Sequence, residues 1–226
     1  MKIWAIYPSA NPERARESIK RWQRAGYYVA ILFDNLKVGK AIKDIVDASI
    51  FEETYRGYFA SNNTLARLAL SKDADIIVIS GDDMSPDEDH EAEEIGRECL
   101  QVYPAGLGVM QPTGDVGLKC DTICGSPWVG RAWVRRAYGG RGIFWPGYKH
   151  FYGDEELKDF SKSLGLLWQR SDITQYHDHP ARTDRKKNPQ HTDYQKNNSK
   201  TYWHDDKILF RQRKAQGWPD SEILSD

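Results

Sequence analysis

The segment IWAIY at residues 3–7, the stretch PERARESIKRWQRA at 12–25 and the unbroken apolar run YYVAILF at 27–33 leave little choice of architecture. Pro12 suits a first helical turn, Ile19 and Trp22 fall on one helical face, and Gly26 supplies a stop. Strands apolar on both faces need cover on both sides, which predicts a parallel β-α-β unit inside a helix-flanked sheet. A second unit follows: a helix over about 61–70, capped by Ser61 or Asn62 with Leu65, Leu68 and Ala69 inward, leads into a strand at Asp75–Ser80. The fold expected is α/β and Rossmann-like, a mostly parallel central sheet flanked by helices.

Farther along, the pattern predicts an acidic helix over 86–100 and short strands and loops in the Gly- and Pro-rich stretch 104–130. A helix over 154–167 and a short strand over 173–176 follow. Residues 181–206 are polar with few aliphatics and read as a flexible loop, and 207–215 (KILFRQRKA) as a short basic helix. The expected organisation is one domain over 1–180 and a polar C-terminal extension over 181–226. Charged residues at 29% against 39% hydrophobic ones, with a mean hydropathy of -0.71, describe a very polar surface. No apolar run reaches bilayer length and no secretory leader opens the chain, so the cytoplasm is the default compartment, with no membrane partner. Cys99, Cys120 and Cys124 lack paired metal spacing and read as free thiols.

The chemistry concentrates where strands end. Ligand crevices in open α/β sheets form at the carboxyl ends of strands, and Gly81-Asp82-Asp83-Met84 follows the 75–80 strand directly. Two carboxylates there suit a divalent cation, Mn2+ or Mg2+, that neutralises a diphosphate leaving group. His177 and His179, after a different strand, offer imidazole as a further ligand. Pro8 and Ser9 after the first strand, and Asp34 after the second, are candidates to line the same crevice, Asp34 as an acceptor for a nucleobase. Asp154 opens a helix with Glu155 and Glu156; first-turn acids suit the helix dipole, and a carboxylate near an acceptor also suits a general base. No dinucleotide glycine fingerprint and no phosphate-binding loop are present.

Taken in order over residues 3–180, these pieces resemble the GT-A-type glycosyltransferases, similar to small phage-encoded members of the family-2 type. The resemblance rests on Tyr7-Pro8-Ser9, Asp34, Gly81-Asp82-Asp83-Met84 as the DXD-like element, Tyr152-Gly153-Asp154-Glu155-Glu156-Leu157 and the late His-x-His. It implies a nucleoside-diphosphate sugar as donor and a divalent metal as cofactor. By position, it makes Asp83 the principal metal ligand, Asp82 a ribose or metal-water contact, Asp154 the base, and His177 or His179 the further ligand. Gly81 departs from the pattern, standing where the family's first aspartate often stands. A phage-encoded enzyme would work in the host cytoplasm, and the resemblance includes enzymes that glycosylate hydroxymethylated pyrimidines in DNA.

A DNA acceptor has one further motive. Residues 128–148 interleave aromatics and arginines, and Trp128, Arg131 and Trp145 are the candidate acceptor contacts, by stacking and by charge. An aromatic core with a solvated basic face accounts for the same stretch. The charge is also uneven: 13 Lys and Arg against 18 Asp and Glu over residues 1–100, then 19 against 15 over the remainder. Two competing functions stand beside glycosyl transfer: a sugar nucleotidyltransferase, and a non-catalytic nucleic-acid-binding module built on Arg131–Arg141 and the polar tail.

Overall fold

The computed structural model describes residues 1–115, 120–178 and 193–225. The elements run β1 (Ile3–Pro8), α1 (Pro12–Arg24), β2 (Tyr28–Phe33), α2 (Leu36–Ile42), β3 (Ala48–Phe51), α3 (Tyr58–Ser71), β4 (Ile76–Ile79) and β5 (Met84–Ser85). They continue with α4 (Ala92–Val102), β6 (Val109–Pro112), β7 (Trp128–Gly130), α5 (Arg131–Gly140), α6 (Gly153–Ser163), β8 (Leu167–Arg170), β9 (Tyr176–His177) and α7 (Asp193–Ala215).

Seven strands form one sheet in the order β3-β2-β1-β4-β7-β6-β8, and β5 pairs with β9 in a small second sheet. Only β7 in the large sheet runs antiparallel to its neighbours. This is the mostly parallel, helix-flanked Rossmann-like sheet that the apolar runs predict. The reason shows in the two cores. Trp4, Ile6, Ala30, Leu32, Ile77 and Ile79 pack on the side of α3, α5 and α6, while Ile3, Ala5, Tyr7, Val29, Ile31, Ile76 and Val78 pack on the side of α1, α2 and α4. Successive residues point to opposite faces, so a strand covered on both sides must be apolar at every position. Each buried Val, Leu or Ile among them contributes about 1.5–3 kcal/mol over its exposed state.

Several local expectations change. Helix α3 starts at Tyr58 behind Gly57 (φ 108°), so Ser61 and Asn62 are buried helical residues rather than caps. Gly57 is required there because a Cβ would stand 2.5 Å from the Lys149 carbonyl oxygen. Helix α6 stops at Ser163, with Gly165 in the left-handed region, and Leu167, expected as its last residue, opens β8. Trp128 lies in a strand, and His177 lies within β9 rather than beyond a strand.

The largest change is in the C-terminal extension. Residues 193–206, expected as loop, belong to a 23-residue helix whose C-terminal half docks on α6 and on the segment ahead of it. Arg213, 4% exposed, forks onto fully buried Glu156, and Asp206 accepts the backbone N–H groups of Lys149, His150 and Phe151 at 2.8–3.0 Å. Residues 181–192 of the expected loop, and His179, lie outside the described residues. Cys99 and Cys124 are buried free thiols, and the Cys120 thiol donates to the Asp115 carbonyl at 3.1 Å. Among the described residues no helix is long and apolar enough to cross a membrane.

Candidate functional site

Because β1, β2 and β4 run parallel, their carboxyl ends gather Pro8 and Ser9, Asp34, and Asp82 and Asp83 along one rim of the sheet. Helix α1 then fixes the loop after β4. Ser18 donates to the Gly81 carbonyl at 3.3 Å, and Arg21 donates to the Ser85 hydroxyl at 2.7 Å. The loop closes with the Met84 N–H on the Gly81 carbonyl, which turns both aspartates onto the rim.

The opposite wall is β9. Met84 pairs with His177, the Asp178 N–H donates to the Asp83 carbonyl at 2.9 Å, and the His177 N–H donates to buried Asp115 at 3.1 Å. Beneath it, Gln175 bridges the Trp128 indole N–H and the Ile79 carbonyl. This puts His177 Nε2 3.5 Å from Asp83 Oδ1. The remaining oxygens are also engaged: Ser9 Oγ donates to Asp82 Oδ2 at 2.7 Å, while Arg14 stands 3.4 Å from Asp82 Oδ1 through Nε and 3.4 Å from Asp83 Oδ2 through Nη2. Both carboxylate side chains are 17% exposed and His177 30%, so a ligand can reach them.

The two acids are electrostatically unequal. Burial raises the Asp82 carboxyl above its ordinary range, against the Ser9 hydrogen bond and the Arg14 charge. Burial acts on Asp83 in the same sense, but the His177 contact and the charges of His177 and Arg14 outweigh it and hold Asp83 below that range. Asp83 is thus the better anionic ligand. Gly81 has a local explanation as well: a Cβ there would stand 2.6 Å from Asp83 Oδ1. Gly81→Ala is expected to cost about 1–3 kcal/mol through overpacking and to push Asp83 away from His177. A lowered urea midpoint would show it.

Asp154 stands at the start of α6, half-buried, with its own Oδ1 accepting the Glu155 N–H. Burial first, and Glu155 second, raise it to about 6. The buried Tyr58 phenol feels the charges of both Asp154 and Asp83 and is raised by burial above all, so it sits within electrostatic reach of both. The entry to α6 is tightly determined. Tyr152 takes a left-handed backbone (φ 66°) while its ring stacks on Phe210 at 5.3 Å, and a Cβ at Gly153 would press on the Phe59 ring at 2.7 Å. Left-handed geometry at a non-glycine residue is sustained only by surroundings of this kind.

The three expected acceptor contacts are not at this rim. Trp128 is 2% exposed inside the core, where it anchors Gln175 behind His177. Arg131 bonds the Asp75 carboxylate and the Ala74 carbonyl at the amino end of β4, the opposite edge of the sheet. Trp145 packs under the Arg213 guanidinium at 3.6 Å. Arg141 is likewise committed to the Asp220 carbonyl. Interleaved aromatics and arginines here assemble the core and tie the C-terminal turn to α5.

Arg14, Tyr58 and Asp115 join the rim without having been singled out in the sequence. Arg14 is one of five basic residues in α1, and nothing local marks it. Among the described residues no three His, Cys, Asp or Glu side chains converge as a ready metal site. The donor chemistry nevertheless fits a divalent cation, since two carboxylates and an imidazole share one partly open rim.

No protein-family model matches the sequence, and no curated protein matches it. Solved structures align with the chain at low similarity. A cytidylyltransferase from Leptospira borgpetersenii aligns over 100% of this chain and 98% of its own at 10% identity and a TM-score of 0.45. A mannose-1-phosphate geranyltransferase from Thermus thermophilus aligns over 50% of this chain and 41% of its own at 13% identity and 0.34, and a UDP-glucose pyrophosphorylase over 51% and 58% at 11% and 0.32. The alignments thus span less than two thirds of the length of these last two proteins. The likenesses are distant, and the chemistry is read from the rim residues themselves.

Proposed function

We propose that the chain is a transferase acting at the diphosphate of a nucleoside-diphosphate sugar, and that it passes the sugar to a hydroxyl acceptor. The observation that carries this reading is the meeting of Asp82, Asp83 and His177 at one strand-end rim. Asp83 and His177, with Asp82 beside them, would hold a divalent cation, which when bound neutralises charge on the departing diphosphate. His179 remains a proposed alternative ligand. Pro8, Ser9 and Asp34 line the donor side of the same rim, Asp34 next to the Asn35 cap of α2.

The acceptor oxygen bonds to the anomeric carbon, the bond from that carbon to the diphosphate breaks, and the acceptor proton passes to the Asp154 carboxylate. A base is needed only because the nucleophile is a hydroxyl. A carboxyl raised to about 6 is mostly ionised at neutrality and yet accepts a proton more readily than an ordinary aspartate. Hydroxymethylated pyrimidine in DNA stays within the acceptor class proposed, but Trp128, Arg131 and Trp145 lend it no support, since each is engaged by other parts of the fold.

Nucleotidyl transfer is a second reading, favoured by Arg14. That reaction needs a cation beside the first strand to grip a triphosphate, and Arg14 stands at the rim just after β1. It leaves Asp154 without a task, because a sugar-phosphate nucleophile is already anionic. Product identity separates the two. Incubation with Mn2+ and a panel of nucleotide sugars and hydroxyl acceptors is expected to release nucleoside diphosphate, and Asp83→Ala to abolish the release. Pyrophosphate release from a nucleoside triphosphate and a sugar phosphate would establish the second reading, and undiminished turnover in Asp83→Ala would remove the rim from both.

A further inference from the structure

Each rim carboxylate has one oxygen taken by a neighbour and one facing Arg14. Asp82 gives Oδ2 to Ser9 at 2.7 Å and shows Oδ1 to Arg14 Nε. Asp83 has Oδ1 beside His177 Nε2 at 3.5 Å and shows Oδ2 to Arg14 Nη2. The guanidinium therefore bridges the two acids at the oxygens that a cation spanning both would need. Its position is no accident of a loose side chain, because Arg14 lies in the first turn of α1, where its own N–H is held by the Asn11 cap.

The contact is also weak by construction. Both distances are 3.4 Å, whereas charge-assisted hydrogen bonds from guanidinium to carboxylate close to about 2.7–2.9 Å. The Arg14 side chain is 31% exposed, so solvent screens the pair and a path outward is open. A guanidinium held this way neutralises the acids yet yields to a stronger ligand.

From this geometry we infer that Arg14 is an internal counter-cation for the Asp82–Asp83 pair, which a divalent metal ion must displace in order to bind. This rests on the reading of the rim as a metal-assisted site. Arg14 holds the acids together without metal and sets how tightly the metal binds. The displaced guanidinium remains on the first turn of α1, free to face an anionic donor.

The test is Mn2+ binding alone, by calorimetry or by loss of the free Mn2+ paramagnetic resonance signal, on the full chain without nucleotide. Arg14→Gln is expected to bind Mn2+ about fivefold more tightly than the wild type, the scale of removing a partly screened ion pair. Arg14→Lys, which keeps the charge but loses the planar fork, is expected to fall between them. Equal or weaker binding in Arg14→Gln overturns the inference, as does an absence of Mn2+ binding in all three proteins. Tighter binding in Arg14→Gln upholds it even where no sugar or nucleotidyl transfer is detected, so its fate is separable from that of the proposed reaction.

Discussion

Asp154→Asn is expected to lower kcat by about 10²–10⁴ while donor binding stays nearly unchanged, because the substitution removes a proton acceptor and keeps the shape. In the wild type, the dependence of kcat/KM on pH should rise to a plateau with an apparent pKa of about 6, the point at which the Asp154 carboxyl gives up its proton. The same group makes an opposite prediction for stability. Its folded-state value is raised from 3.8 to about 6, chiefly by burial and then by Glu155, so between those values the native state binds more protons than the unfolded chain. Stability contributed by the neutral form is therefore complete below about pH 4 and is lost as pH rises through about 6. Asparagine cannot ionise. The variant should exceed the wild type in stability at pH 8 by on the order of 3 kcal/mol, the gap closing as pH falls toward 4. Paired urea melts at pH 4 and pH 8 with steady-state rates test both halves. A constant stability difference together with undiminished kcat would assign Asp154 to helix capping alone.

What the sequence made legible follows from which forces leave local marks. The runs 3–7, 27–33 and 76–79 are apolar at every position because both sheet faces are covered, and that pattern specifies a parallel sheet on its own. Strand ends fix the rim, so Ser9, Asp34, Asp82 and Asp83 fall together once the strands are placed. His177 reaches the rim because β9 pairs with β5 directly after Asp83, although a two-residue strand has too short a pattern to show. Contacts made across long sequence separations left no such mark. Asn62 looked like a cap, yet it donates to the Tyr58 carbonyl inside α3, while Asn63 accepts the N–H groups of Ile143 and Phe144 some 80 residues away. Arg131 looked like a ligand contact, but it holds the Ala74 carbonyl and Asp75. Residues 193–206 read as loop because their composition is polar, and α7 is docked farther along by Phe210, Asp206 and Arg213 rather than by an apolar stripe.

That last feature carries the largest stability effect expected in the chain. Arg213→Ala should destabilise the protein by about 3–5 kcal/mol, because it removes one partner of a buried ion pair and leaves the other charge uncompensated. The guanidinium donates to both Glu156 oxygens at 2.8 Å, to the Pro219 carbonyl at 2.9 Å and to the Ser221 hydroxyl at 2.7 Å, and it lies over the Trp145 ring. Tyr148 donates to the same carboxylate at 2.7 Å, but one phenol cannot replace the lost positive charge. Removing both charges together, as Arg213→Met with Glu156→Leu, should recover much of the loss, since an apolar pair escapes the desolvation cost. The single variant should also lower turnover. Asp206, two helical turns before Arg213, gathers the N–H groups of residues 149–151 just ahead of the strained Tyr152 and of Asp154, so loosening α7 releases the base. Urea midpoints for the single and double variants, read beside kcat, test this coupling. A loss under 1 kcal/mol for Arg213→Ala would mean that α7 is not held by this pair.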